Sequence, residues 1–249
     1  MICKLCHRET ELMESHIIPE FFYKPLYDDL HRFYALSTDE EEKNRLMQKG
    51  LKEKLLCGQC EALISLWEKY VREVFYGGVE ITIDRGTRYW VVGNIDYDKF
   101  RLFQLSLLCR ASVSSLTIFA PVRLGPHEER IRRMLLEKRP GEPHEYGVFI
   151  AVPLIPEGGF LKDLIATPDA TRMEGHRVYR FVLGECSWAF FVSNHSQTLR
   201  FSHLILRKEG RLLVTMMPFE RMGMLSGMVS RLVETGKVRE TVEFMNKRR

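Results

Sequence analysis

Cys3-Lys4-Leu5-Cys6 and Cys57-Gly58-Gln59-Cys60 are the two stretches whose reading decides the fold. A CxxC turn holds two thiolates about 3.5–4 Å apart, which matches one edge of a tetrahedral zinc site with Zn–S near ~2.3 Å. Two such pairs complete a shell of four thiolates. A closed shell leaves no position for water or substrate, so the expected zinc is structural. Adjacent CxxC pairs are poor disulfide staples, and metal binding is the stronger reading of this spacing. About fifty residues separate the pairs, longer than a simple ribbon needs, so a functional element is expected between them.

The second pair opens the clearest helical pattern in the chain, from Gln59 to Tyr76. Leu63, Ile64, Trp67, Val71, Val74 and Phe75 recur at steps of three and four and form one apolar stripe, which Gly77-Gly78 ends. Glu61, Ser65, Glu68 and Arg72 fall along one edge of it. Upstream, residues 1–19 are expected to form a zinc knuckle and a short hairpin, with Glu11 to Ile18 ending as a strand at Pro19. The aromatic run Phe21, Phe22, Tyr23, Tyr27, Phe33 and Tyr34 is expected to pack beneath the cysteine frame. Asp39 to Lys54 is charged and reads as a loop or a short helix.

After Gly77-Gly78 the pattern changes. Val79–Ile83 and Tyr89–Gly93 read as a hairpin around Asp84-Arg85-Gly86-Thr87. Tyr97–Ser115 and Glu128–Lys138 read as helices, the first amphipathic. Short β-rich runs follow at Gly147–Pro153, Arg177–Leu183, Trp188–Val192 and Arg211–Met217, and a helical pattern returns from Arg221 to Met245. The fold class is therefore α+β, with a cysteine-stapled module at 1–76 and a mainly antiparallel sheet with flanking helices at 77–249.

The 249-residue chain has ordinary globular composition and a formal charge of +4, a mild excess that permits nucleic-acid contact without requiring it. Cys109 and Cys186 lie outside the two pairs, in apolar surroundings that suggest buried, unreactive thiols. The chain opens inside the metal frame rather than on a signal-peptide pattern, and Ala111–Val122 is too short to span a bilayer. A cytoplasmic protein with no membrane partner is expected.

CxxC, then Ser15-His16-Ile17-Ile18-Pro19, then Leu56-Cys57-Gly58-Gln59-Cys60 running into a helix resembles the zinc-stapled HNH endonucleases, over residues 1–76. The resemblance implies a ββα-metal, treble-clef-like module holding structural Zn²⁺ on Cys3, Cys6, Cys57 and Cys60. It implies His16 as the general base of phosphodiester hydrolysis. Glu61, with Glu14 or Glu68 as a further carboxylate, would serve a catalytic Mg²⁺ or Mn²⁺. Ser15 stands where that family often has an acid, and the family's central asparagine has no clear match, Glu53 lying nearest. HNH modules with appended domains resemble effectors of phage defence or mobile elements. The implied substrate is nucleic acid, DNA first, with residues 77–249 positioning it or binding a protein partner. The alternative is a non-catalytic zinc module that serves as a platform for nucleic acid or protein.

Overall fold

The computed structural model describes residues 1–155, 159–160 and 163–239. Two strands far apart in sequence meet first. β1 (Met13–His16) runs antiparallel to β4 (Lys52–Leu56), with Ser15 opposite Glu53 and His16 opposite Lys52. Between them come the one-turn α1 (Glu20–Tyr23), β2 (Phe33–Ala35) and β3 (Arg45–Met47), the two strands pairing with each other. The stretch expected as a loop or short helix therefore carries two strands. Its Lys52-Glu53-Lys54 pattern is too charged to signal a strand locally, and the partner that makes it one is supplied from residue 13 onward.

β4 leads directly into α2 (Gly58–Tyr76), which buries Cys60, Ile64, Trp67, Tyr70 and Val71, a seam at helical spacing. Gly77, at φ 90°, ends it. The expected hairpin forms, but its first strand is β5 (Thr82–Arg85) rather than Val79–Ile83, so Asp84 and Arg85 pair with β6 (Tyr89–Gly93) instead of lying in the loop. α3 (Tyr97–Val113) begins at Asp96, whose carboxylate accepts from the Lys99 N–H at 3.0 Å. It is not amphipathic: Arg101, Gln104 and Arg110 are buried along with its apolar residues. It lies in the middle of the molecule, packed between α2, α4 (Pro126–Leu136) and the sheet.

β7 (Val148–Leu154), β8 (Ala166–Met173), β9 (His176–Leu183), β10 (Cys186–Phe191) and β11 (Leu212–Pro218) complete a seven-stranded sheet ordered β5-β6-β11-β7-β10-β9-β8. Among the described residues, every pairing in this sheet is antiparallel except β11 with β7. β8 has no clear signal in the sequence because Pro168 and Asp169 interrupt it. At a sheet edge, with an irregularity between Ala166 and Asp169, such residues are tolerated. One sheet face meets α3, and α5 (Gly223–Glu234) covers part of the other through Leu225. The remainder of the helical pattern expected to Met245 lies outside the described residues.

Trp188 joins the parts. Its ring stacks on Phe75 of α2 at 6.1 Å and on Phe100 of α3 at 6.0 Å, and Phe22 of α1 meets it edge-on at 6.5 Å. One continuous apolar core thus runs from Cys3 to Val214.

Candidate metal centre and adjoining polar cluster

The first CxxC turn is tied to the strand that carries the second. Lys4 N–H donates to the Leu55 carbonyl at 3.1 Å, and Cys57 N–H donates to Cys3 Sγ at 3.3 Å. Cys57 occupies the N-cap position of α2, so two of the sulfurs lie where the helix N-terminus favours negative charge. The Sγ atoms of Cys3, Cys6, Cys57 and Cys60 all fall within 4.8 Å of one another, and Cys6 and Cys57 are 3.8 Å apart. These distances and the thiolate donors fit a tetrahedral zinc ion.

Arg8 supports the same corner, its Nε donating to Cys6 Sγ at 3.4 Å and its terminal nitrogen to Gln59 Oε1 at 2.5 Å. Burial pushes the Cys6 thiol up, but hydrogen bonds with Arg8, Cys3 and Cys60 together outweigh it and bring the thiol down to about 6. The buried Cys60 is pushed upward by burial and by its sulfur neighbours. Of the other two cysteines, Cys109 is buried and Cys186 partly exposed. Burial of the sulfur raises each to about 12, so neither is an activated nucleophile.

Beside this centre the structure gathers His16, Glu61 and Glu68, together with Arg110 and Glu20, which sequence reasoning missed. His16 ends β1, and its Nε2 meets Glu20 Oε2 four residues on. Tyr27 donates to the other Glu20 oxygen at 2.7 Å. Burial and Lys52 pull the imidazole below its ordinary value, against the opposing pull of Glu20 and Glu68. In a neutral ring, a proton held on Nε2 beside Glu20 would leave Nδ1 as the proton acceptor.

Arg110 of α3 is 3% exposed and bridges the two segments. One terminal nitrogen donates to the His16 carbonyl at 2.7 Å and lies 2.6 Å from Glu68 Oε1. Glu61 lies near both. Burial pushes its carboxyl up, Ser15 and Arg110 pull it back, and Glu68 adds to the rise. One of its oxygens, Oε1, is buried without a hydrogen-bond partner. Glu53 is spent elsewhere, accepting from Ser114 Oγ at 2.7 Å and Ser115 N–H at 3.0 Å at the end of α3.

Among the described residues, the four cysteines alone form a group of three or more His, Cys, Asp or Glu side chains compact enough to share an ion. His16, Glu61 and Glu68 do not close around a divalent metal in that way. A guanidinium already sits on Glu68, so the donor set does not fit a bound Mg²⁺ or Mn²⁺. Glu20 was discoverable from its i, i+4 spacing to His16. Arg110 was not, since it comes from a helix 94 residues away. No family profile, curated protein or solved structure matches this chain. No helix among the described residues is long and apolar enough to cross a membrane.

Proposed function

We propose that the chain is an HNH-like nucleic-acid hydrolase, with DNA as the first candidate substrate and the sheet-bearing part positioning it or a protein partner. One observation carries this reading: His16, Glu61 and Glu68 converge with Arg110 in one partly buried polar cluster beside the cysteine centre. Buried charge is costly, and clusters of perturbed groups mark functional sites more often than random positions. In this reading Nδ1 of His16 takes a proton from water as its oxygen attacks phosphorus, the ester bond to the leaving oxygen breaks and that oxygen takes a proton from solvent, while Glu20 pairs with the ring at Nε2. Arg110, paired with Glu68, holds the His16 backbone in place through its carbonyl and so positions the ring. Lys52, opposite His16, adds to the local attraction for phosphate.

The test is a cleavage assay of wild type and His16→Ala on single- and double-stranded DNA and RNA, with Mg²⁺, Mn²⁺ or chelator and with candidate partners. His16→Ala should lose roughly 10²–10⁴ of the rate with zinc content and fold intact. Equal rates would remove His16 from the chemistry. The second reading, a non-catalytic zinc platform, is favoured by the same ion pairs, because Glu68 and His16 Nε2 already have partners. It prevails if both proteins bind nucleic acid and neither cuts it.

A further inference from the structure

Between the ends of α2 and α3 and the β5-β6-β11-β7 part of the sheet lies a cavity of about 430 Å³. α3 covers the sheet beneath Trp188 but does not extend over this region. Its volume is within the range of small-molecule sites, about 300–1,000 Å³, and far above that of a single water. The floor is the apolar face of β6, β7 and β11, where Ile150 and Val214 are buried. The walls are aromatic. Phe75 rises on one side, and Trp90 meets Phe160 edge-to-face at 5.6 Å on the other. A space of this kind left unfilled forfeits dispersion contacts along its whole lining, and an apolar ring system restores them.

The mouth has different chemistry. Glu185 sits in the two-residue turn between β9 and β10, where Gly184 and Glu185 both take positive φ, 59° and 61°. A side chain on Gly184 would strike Phe22 and Phe75, so the turn lies directly on the cavity wall. Asp163 borders the same opening, and both carboxylates act on the Tyr76 phenol beside them, which burial and these two charges push upward. Tyr76 donates to the Phe21 carbonyl at 3.1 Å and is held in place. An apolar, aromatic chamber with two exposed carboxylates at its rim favours a guest that is greasy within and positive at its outer end.

We propose that this cavity binds an apolar, ring-bearing molecule with a cationic amine at its solvent-facing end. Its lining excludes His16, Glu61, Glu68 and Arg110, so the proposal does not depend on the hydrolase reading. The experiment is calorimetric titration of the full chain with 4-phenylbutylamine, 4-phenyl-1-butanol and 4-phenylbutyrate, which share a body and differ in charge. The amine should bind one per chain, roughly five- to tenfold tighter than the alcohol, as two exposed charge contacts allow. The acid should bind weakest. Asp163→Asn with Glu185→Gln, both at exposed positions, should bring the amine down to the alcohol's affinity. Ile83→Trp, at a half-exposed position of the cavity lining on the edge strand, should fill the space and remove binding of all three with melting unchanged. The proposal is overturned if no probe binds, if the acid matches the amine, or if the double variant keeps the full preference for the amine. Unaltered binding in a folded Ile83→Trp protein also overturns it.

Discussion

His16 stands between opposing influences, and their balance sets a pH signature. Burial and the Lys52 charge disfavour the imidazolium, while Glu20 and Glu68 favour it and Arg110 contacts only the backbone carbonyl. The net shift is downward, so the folded protein resists protonating His16 where the unfolded chain accepts a proton. The stability from this residue is present above the ordinary imidazole value near ~6.5 and is lost as pH falls through the lowered folded value. Thermal melting of wild type should therefore drop as pH falls below ~6.5 and level off below the lowered folded value, and His16→Gln should flatten part of the drop. An identical pH dependence in the two proteins would show that other groups govern it. The same shift keeps the ring unprotonated at neutral pH, the state a base requires.

At the scale of elements, α2 links the cysteine centre to the body. Trp67 is 4% exposed, and Ile64 and Val71 flank it on the same seam. Trp67→Ala should cost about 3–5 kcal/mol in denaturant unfolding, the range for a deleted buried aromatic. A loss under ~1 kcal/mol would mean the seam is not closed as described. α2 was legible because its apolar period and its glycine stop are local properties. The same holds for the β5–β6 hairpin and for the apolar strands β7, β9, β10 and β11. β3 and β4 were not legible, since their charged residues become strand only through partners elsewhere. α3 misled in another way: it read as amphipathic, but Arg101 and Arg110 are buried, held by carbonyls of Glu145 and His16 and by Glu68. A guanidinium that finds such partners can be buried, and the partners are not visible from its own neighbourhood in sequence.

For the whole molecule, the cysteine centre and the sheet are parts of one core, so removing the metal should be felt beyond the N-terminus. Cys57→Ser removes a ligand, the sulfur at the α2 N-cap, and a contact of Cys6. Because zinc binding in such sites is folding free energy, this variant should lose stoichiometric zinc and melt at lower temperature, with Trp188 losing its buried signal in the same transition. Wild-type protein purified without chelator should contain one zinc per chain by elemental analysis. Finding none would refute the metal centre.

The one parallel pairing in the sheet also bears on how the chain is made. β11 is the last of the described strands to leave the ribosome, yet its place is between β6 and β7. Until residues 212–218 emerge, the hairpin β5–β6 and the four-stranded β7-β10-β9-β8 unit each carry an unpaired edge. The nascent chain therefore holds two incomplete sheets, exposed to mispairing with neighbouring chains, and a single late segment closes both at once.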